Sequence, residues 1–376
     1  MTIIDAPIIS ADSHITEPPG TYIDHIDPAF RDRAPHMIDG GEKLGEVFVV
    51  DGLERPLSLS TAAAAGKRPE EIKSFGARFD DLHRGGWDPV ARLADQDRDG
   101  VAAEIIYPSI GMILCNLADL DYKHACFHAY NRWLAEYCAT SSGRLLGLGQ
   151  TAMRTPQDGI ADLGTIKDLG LRGVMLPGLP GVEDYDSNIY DEFWEAAIEL
   201  ELPLSFHILT MRAEKTRGPK MASFLSIVRG CQDVMTMLVM GGVFERHPRL
   251  RIVCAEADAG WVPHFMYRMD HAYKRHRYWL PPGQELSKLP SEYFAENIFV
   301  TFQDDWSAFK HADDMNWHRL MWANDFPHSD STWPWSQEML AEHTSQLTDE
   351  QRHAILSSNV AGLYRIDTSE LAAARS

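Results

Sequence analysis

Short apolar segments alternate along the chain with longer segments of mixed polarity. Eight of the apolar segments have the length of a strand: PIISAD, AAEIIYP, RLLGLGQ, RGVMLPG, LPLSFHI, LRIVCAE, NIFVTFQ and HRLMWAN. Segments of helical length lie between them, for example DLDYKHACFHAYNRWLAEYCAT. Alternating strands and helices predict a parallel sheet. Eight such units in one α/β chain favour a closed (β/α)8 barrel, the TIM barrel, over an open doubly wound sheet.

Two stretches are longer than ordinary loops of such a barrel. Residues 20–88 separate the first predicted strand from the second, and 272–296 precede the seventh. In the first stretch, VFVVDGLERPLSL predicts a hairpin that turns at Asp51-Gly52. We expect the rest of that stretch to form an inserted cap over the barrel mouth, and the second to border the pocket or a subunit interface. Because no repeat or interdomain linker is visible, we expect residues 1–376 to form one domain with two insertions.

Composition narrows the class of partner. The 376 residues carry a formal net charge of −20 at pH 7, which argues against nucleic acid or an anionic membrane surface. The start, MTIIDAPIISADSH, has no basic segment or signal-peptide core, and no apolar run approaches the roughly 20 residues of a spanning helix. The five cysteines are scattered, as is typical of reduced buried thiols. We therefore expect a cytoplasmic enzyme that acts on a small-molecule substrate.

Acidic and imidazole side chains follow four of the predicted strands. Asp12 and His14 are two residues apart on the first strand and point the same way. The others stand at the ends of strands five, six and eight: His207, Glu256, and Asp325 with His328. Each alone is explained as well by a cap or a packed imidazole. The carboxyl ends of barrel strands meet at one mouth, so together they predict a metal site there.

Two neighbouring residues bear on this site. A carboxylate such as Glu256 at the end of a buried strand needs a cation or a cluster of donors, and Arg172 is a possible structural partner. Glu17 follows the first strand and could add an outer contact or a further ligand. Asp304 and Asp305 are explained as well by capping a helix.

Several strings resemble the amidohydrolase superfamily, in particular its aminocarboxymuconate-semialdehyde decarboxylase-like branch. They are ADSHITEP, GGWDPVARLADQDRDGVAAEIIYPS, LRGVMLPG, HIL, AEADAGWVPHFMYRMD and NDFPHSDSTWP, and they span nearly the whole chain. The resemblance implies a metal held by a His-x-His pair on strand one, a strand-five His and a strand-eight Asp. The matching positions are Asp12, His14, His207 and Asp325.

This chain departs from the pattern of that branch at two positions. Asp12 replaces the first His of the pair, and Glu256 stands where a proton-transferring His is usual. His328 adds an imidazole beside Asp325. The candidate donors become three carboxylates and three imidazoles, a set that suits iron or manganese and has enough members for two ions.

Three functions are compatible with this set. The first is a dinuclear non-haem monooxygenase with iron, or iron and manganese, that hydroxylates a small organic substrate, an activity the superfamily is known to include. The alternative is a mononuclear zinc or manganese hydrolase or non-oxidative decarboxylase of a small carboxylic acid. There Glu256 would be the general acid/base and His328 a proton shuttle. The third is a non-catalytic subunit that supports a homologous active partner. We expect a homo-oligomer, or a hetero-oligomer with a homologous barrel.

Overall fold

Eleven strands are present in the part of the chain that the computed structural model describes, namely residues 3–141, 143–211, 218–219, 221–280 and 284–374. In chain order they are β1 (Ile8–Ile15), β2 (His36–Asp39), β3 (Glu46–Val49), β4 (Leu57–Ser58), β5 (Val101–Pro108), β6 (Leu145–Gln150), β7 (Gly173–Leu176), β8 (Leu204–His207), β9 (Ile252–Ala255), β10 (Ile298–Phe302) and β11 (Leu320–Trp322).

Eight of these strands form the barrel. They pair in parallel in the order β1-β5-β6-β7-β8-β9-β10-β11, and each overlaps one of the predicted apolar segments. Every residue of these eight strands is buried, as is typical of parallel strands covered on both faces. Two backbone hydrogen bonds close the ring beyond β11: Asp325 N–H donates to the Asp12 carbonyl (3.1 Å), and His14 N–H donates to the Phe326 carbonyl (2.7 Å). The predicted (β/α)8 barrel is confirmed.

Helices surround the barrel and lie in its loops. They are α1 (Gly20–Ile23), α2 (Gly41–Leu44), α3 (Pro89–Asp99), α4 (Ile110–Leu114), α5 (Leu120–Cys138), α6 (Pro156–Asp168), α7 (Asp191–Leu200), α8 (Ala222–Ser226), α9 (Arg229–Met240), α10 (Val243–Arg246), α11 (Val262–His276), α12 (Pro290–Asn297), α13 (Trp306–Lys310), α14 (Ser336–His343), α15 (Asp349–His353), α16 (Asn359–Tyr364) and α17 (Thr368–Ala374). None of the described helices is long and apolar enough to cross a membrane.

Side-chain caps explain where several of these helices begin. Asp88 accepts hydrogen bonds from the amides of Val90 and Ala91 at the start of α3. Asp119 and Thr155 cap α5 and α6 in the same way. These oxygens satisfy amides that have no partner within the helix.

The first insertion contains the other three strands. β3 pairs antiparallel with both β2 and β4. The predicted hairpin is β3–β4, and its turn at Asp51-Gly52 is closed by the bond from Leu53 N–H to the Val50 carbonyl (3.2 Å). β2 was not predicted, because three of its four residues are exposed and its sequence, HMID, has no continuous apolar face. Two amides further on, of Ala64 and Ala65, both donate to the carbonyl of Pro327 (2.9 Å), so the insertion lies against the loop after β11.

The second predicted insertion, 272–296, is largely helical. Its first residues complete α11, on which Met269 and Tyr273 are buried one turn apart. Its last residues form most of α12. Residues 281–283 lie outside the described part of the chain. The separate segment is therefore shorter than predicted, because helix α11 continues through the boundary.

Candidate metal centre

The structure brings the six predicted side chains together at the carboxyl end of the barrel. Possible ligand atoms of Asp12, His14, His207 and Glu256 all lie within 4.8 Å of one another. A second such group contains His14, Glu256, Asp325 and His328. The two groups share His14 and Glu256 and therefore form one continuous cluster.

Irregular backbone directs the acidic members toward the barrel axis. The pairing of β1 with β5 shifts register between Ser10 and Ser13, so β1 bulges at the position of Asp12. Glu256 (φ 53°), directly after β9, and Asp325 (φ 50°), in the loop after β11, adopt the left-handed conformation. Asp tolerates this conformation, but for Glu it costs of order 1–2 kcal/mol and needs support from the surroundings. Such local strain is typical of functional positions.

Two imidazole nitrogens face the carboxylates at short range. His14 Nε2 lies 2.9 Å from Glu256 Oε2, 3.5 Å from Asp12 Oδ1 and 3.6 Å from Asp325 Oδ1. His207 Nε2 lies 3.1 Å from Glu256 Oε2 and 3.6 Å from Asp12 Oδ1. These spacings resemble the distances between neighbouring ligand atoms around one divalent ion, about 3–3.5 Å for bonds near 2.1 Å.

Main-chain carbonyls select the tautomer of both imidazoles. His14 Nδ1 lies 3.0 Å from the Pro108 carbonyl, and His207 Nδ1 lies 3.0 Å from the Ile208 carbonyl. Since a carbonyl oxygen only accepts, each Nδ1 carries the hydrogen. In its neutral form, each ring therefore presents the Nε2 lone pair to the cluster, which is the arrangement of metal-binding histidines.

The cluster has more negative charge than its buried surroundings support. Burial, and then the charge of Glu256, raises the pKa of Asp325 to about 8. Burial lowers the pKa of His14 to about 4, so this ring stays neutral. Burial also works to lower the pKa of His207, but Asp12 and Glu256 outweigh it and raise that pKa well above its ordinary value. Three carboxylates gathered in this buried space favour a cation among them.

Several buried polar atoms of the cluster have no hydrogen-bond partner. They are Asp12 Oδ1, His207 Nε2 and both carboxylate oxygens of Asp325. Buried polar atoms are nearly always hydrogen-bonded, and an ion is one of the accepted explanations for an exception. The donor set and these unpaired atoms fit a divalent metal.

Comparison with known proteins places the chain in a family. A family model described as amidohydrolase matches residues 12–366. The chain belongs to the amidohydrolase family. Family membership and the ligand-bearing barrel mouth identify it as a metal-dependent enzyme, and the resemblance predicted from the sequence is confirmed.

Curated relatives of this amidohydrolase include decarboxylases. The γ-resorcylate decarboxylase of Rhizobium sp. (strain MTP-10005) is 24% identical over 258 residues, or 63% of this chain and 75% of that protein. The 2-amino-3-carboxymuconate-6-semialdehyde decarboxylase of Dictyostelium discoideum is 24% identical over 204 residues, or 53% of this chain and 55% of that protein.

Solved structures share the fold of this amidohydrolase. An amidohydrolase from Mycobacterium avium subsp. paratuberculosis K-10 has a TM-score of 0.77 at 18% identity, covering 96% of this chain and 100% of that one. The 5-carboxyvanillate decarboxylase from Novosphingobium aromaticivorans DSM 12444, crystallised with manganese and 4-hydroxy-3-methoxy-5-nitrobenzoic acid, has a TM-score of 0.70 at 18% identity, covering 97% and 100%.

Supporting residues hold the cluster of this amidohydrolase in place, and sequence reasoning did not identify them. The hydroxyl of Thr301 donates to Asp12 Oδ2 (2.9 Å) and accepts from the Glu256 amide (2.8 Å). Arg92, fully buried on α3, donates to the carbonyl of His14 (2.6 Å) and pairs with Glu104 (2.6 Å). The one feature of the sequence that could have indicated this role is the position of Arg92 within α3, the capped helix that precedes β5.

His328 is linked to the backbone through Ser109. Its Nε2 lies 2.9 Å from Ser109 Oγ, whose own hydrogen is donated to the Ile15 carbonyl (2.8 Å). The serine oxygen must therefore accept, so His328 Nε2 carries a hydrogen. On the other side of the ring, Nδ1 lies 3.0 Å from Asp325 Oδ1. Burial works to lower the pKa of His328, but the Asp325 charge outweighs it and raises that pKa.

Two neighbouring residues lie elsewhere than the sequence suggested. Arg172 does not pair with Glu256: it is exposed and precedes β7, so it lies at the opposite end of the barrel from the mouth. Glu17 lies outside both ligand groups, because its Oε1 accepts from the Gly111 amide (3.1 Å). Burial raises the pKa of Glu17 to about 7.

Asp305 caps α13, as predicted for one of the pair Asp304 and Asp305. It also accepts hydrogen bonds from the amides of Ala259 and Gly260.

Proposed function

We propose that this amidohydrolase is a non-oxidative decarboxylase that uses one divalent metal ion and acts on a small carboxylic acid. The observation that carries the proposal is the spacing of the donors, with His14 Nε2 2.9–3.6 Å from three carboxylate oxygens. The curated relatives support the choice of reaction, because they include γ-resorcylate and aminocarboxymuconate-semialdehyde decarboxylases. This is the alternative that the sequence left open, rather than the dinuclear oxygenase.

The chemistry of His14 favours one ion over two. Both ligand groups need this residue, yet its Nδ1 is occupied by the Pro108 carbonyl. Only Nε2 remains, and a single imidazole nitrogen has one lone pair for one ion. The contacts of Glu256 with His14 and His207 both use the same oxygen, Oε2. Two ions could therefore not both be ligated through His14.

Exposure separates the groups that would hold the ion from those that would meet substrate. The side chains of His14, His207 and Asp325 are 0% exposed and that of Asp12 is 1% exposed. Glu256 and His328, at 12% and 13%, face the opening. We assign the first four as ligands, and Glu256 and His328 as the residues that handle protons.

The metal would act as a Lewis acid that polarises oxygens of the substrate and fixes its orientation. Two carboxylates and two imidazoles suit manganese or zinc, since oxygen donors favour manganese and mixed nitrogen and oxygen donors are common for zinc. Donor chemistry alone does not discriminate between these two ions, so the preparation has to be tested with each.

The remaining chemistry is the delivery of a proton. Loss of CO2 from a carboxylate, R–CO2⁻ + H⁺ → R–H + CO2, consumes one proton at the carbon that carried the carboxyl group. His328 can store this proton, since its Nε2–H is held by Ser109 and its Nδ1 lies 3.0 Å from the carboxylate oxygen Asp325 Oδ1. Glu256 and His328 belong to one group whose ligand atoms lie within 4.8 Å of one another, so Glu256 can pass the proton to carbon. The electron pair of the broken carbon–carbon bond stays with R, and solvent returns the proton to His328.

The test is an anaerobic assay of CO2 release with metal analysis. Protein reconstituted with manganese or zinc is incubated under argon with 2,6-dihydroxybenzoate and other hydroxybenzoates. We expect CO2 and the corresponding phenol in equal amounts, with about one metal per chain by elemental mass spectrometry. Two redox metals per chain, together with substrate-dependent O2 uptake and no anaerobic CO2 release, would overturn the proposal in favour of the oxygenase.

A further inference from the structure

A second cluster of ligand-type side chains lies outside the barrel mouth, between α5 and α6. Possible ligand atoms of His124, His128 and Asp162 all lie within 4.8 Å of one another. The two histidines are four residues apart on α5 and so project from one face of the helix. Asp162 faces them from α6. None of the three belongs to the centre described above, and the sequence pattern did not single them out.

The carboxylate of this cluster is held firmly. Thr151, directly after β6, donates from its hydroxyl to Asp162 Oδ2 (2.6 Å). His128 Nε2 lies 2.7 Å from Asp162 Oδ1. Asp162 itself is buried, so its orientation is set by these neighbours rather than by water. Supporting hydrogen bonds to a ligating carboxylate are characteristic of metal sites.

His124 is the member whose hydrogen-bonding capacity is unused. Its Nδ1 is shielded from solvent and has no hydrogen-bond partner. This atom lies 3.7 Å from Asp162 Oδ2, too far for a hydrogen bond. The rings of His124 and His128 are 4.1 Å apart. Two imidazoles thus converge on one carboxylate, although a single hydrogen bond would need only one of them.

A cavity adjoins the cluster. It has a volume of about 670 Å³ and is bounded by α5 and by residues 25–28 and Phe30 of the first insertion. It leaves room for water beside His124 and His128. Arg154 also lines it, but its charge is balanced by Asp121 (2.7 Å) and Asp158 (3.2 Å).

We propose that His124, His128 and Asp162 bind a divalent transition-metal ion of the zinc, cobalt or nickel class. Two imidazole nitrogens and one carboxylate oxygen are donors that these ions accept, and water from the cavity would complete the coordination. Neighbouring ligands of a tetrahedral zinc are about 3.3 Å apart. The 2.7 Å from His128 Nε2 to Asp162 Oδ1 and the 3.7 Å from His124 Nδ1 to Asp162 Oδ2 lie on either side of that value, so the side chains would shift to admit an ion. The ion would cross-link α5 to α6 and would take no part in the reaction.

The test counts zinc in the full-length protein. Wild type and His124→Ala are stripped with a chelator, equilibrated with excess ZnCl2, desalted and analysed by elemental mass spectrometry. We expect His124→Ala to hold one zinc per chain fewer than wild type and to show a smaller zinc-induced rise in Tm. His353→Ala, which removes an exposed imidazole elsewhere, is the matched control and should retain the wild-type count.

Two further variants keep the outcome decisive. His124→Asn serves if the alanine variant does not yield folded protein. In His207→Ala, which removes a ligand of the proposed barrel centre, the zinc at α5 and α6 should remain, so failure of one site is distinguishable from failure of the other. Equal zinc counts and equal Tm shifts in wild type and the His124 variants would overturn the proposal. The cluster would then be only a hydrogen-bonded bridge from Thr151 through Asp162 to His128.

Discussion

The carboxylate of Glu256 meets the imidazole of His14 at 2.9 Å, and the same oxygen lies 3.1 Å from His207. Burial works to raise the pKa of Glu256, yet its close contacts with these two histidines hold it well below its ordinary value. Glu256 is therefore ionised, next to the proposed ligands and at the opening of the mouth. Substitution of Glu256 and substitution of His207 should therefore affect metal binding differently.

Glu256→Gln should reduce kcat of decarboxylation by about 10²–10⁴-fold, the usual contribution of a general acid/base. The metal content should stay at the wild-type value, because the four buried ligands remain. Elemental mass spectrometry and steady-state kinetics on the same preparation give both numbers. Loss of the metal together with the activity would instead make Glu256 a ligand.

His207→Ala should lose the metal as well as the activity. Its Nε2 is buried and has no hydrogen-bond partner, so this nitrogen is well placed as a ligand. Metal affinity, measured by competition with a chromophoric chelator, should fall by at least about 100-fold. Loss of a residue that only supports a ligand already costs up to about 100-fold, and loss of the ligand itself should cost no less. His318→Ala, remote from the mouth at the start of β11, is the control and should bind as wild type does. An unchanged affinity in His207→Ala would contradict the assignment.

Arg92→Met should destabilise the barrel by about 3–5 kcal/mol, because it leaves the buried carboxylate of Glu104 without its partner. The double variant Arg92→Met, Glu104→Gln should recover part of this loss, since no buried charge then remains unpaired. Urea unfolding followed by circular dichroism measures both. If the double variant were as unstable as the single one, the lost hydrogen bond to the His14 carbonyl would be the larger effect.

Glu17→Gln should change how stability depends on pH. Burial raises the pKa of Glu17 from 4.5 to about 7 in the folded state, so the folded protein binds this proton more tightly than the unfolded chain. The contribution of Glu17 is therefore fully present below pH 4.5 and is lost as pH rises toward 7. The glutamine variant lacks this loss, and its stability relative to wild type should increase by about 3 kcal/mol across that window.

Urea unfolding at a series of pH values from 5 to 8.5 measures this difference for Glu17→Gln. Glu199→Gln, an exposed carboxylate on α7, provides the control and should show no such trend. A pH-independent difference between Glu17→Gln and wild type would mean that Glu17 keeps an ordinary pKa in the folded protein.

The barrel and the members of the mouth cluster could be predicted because both depend on local patterns. Each strand is a short apolar run. Asp12 lies within β1, His207 ends β8, and Glu256 and Asp325 follow β9 and β11, so a closed parallel barrel brings them to one mouth. What could not be predicted depends on packing between distant segments. Arg92 reaches His14 only once α3 lies against β1, and nothing in the sequence around Arg92 indicates that contact.

The constraint on how His14 can bind a metal also lay beyond the sequence. Counting donors gave six, enough for two ions, but the count treats each side chain as freely available. Only the structure places the Pro108 carbonyl on one nitrogen of His14 and leaves a single nitrogen for a metal. The cluster of His124, His128 and Asp162 was missed for a related reason, because its members lie on two helices whose relative rotation is set by the barrel beneath them.

The hydrogens that orient His14 and His207 are both held by main-chain oxygens, those of Pro108 and Ile208. A substitution can remove a supporting carboxylate or hydroxyl, but every residue type has a carbonyl. Substitutions at the supporting positions should therefore leave the orientation of both imidazoles unchanged, as long as the backbone path of the strands is preserved. The acidic positions have no such protection, so divergence of this centre is expected to begin with its carboxylates.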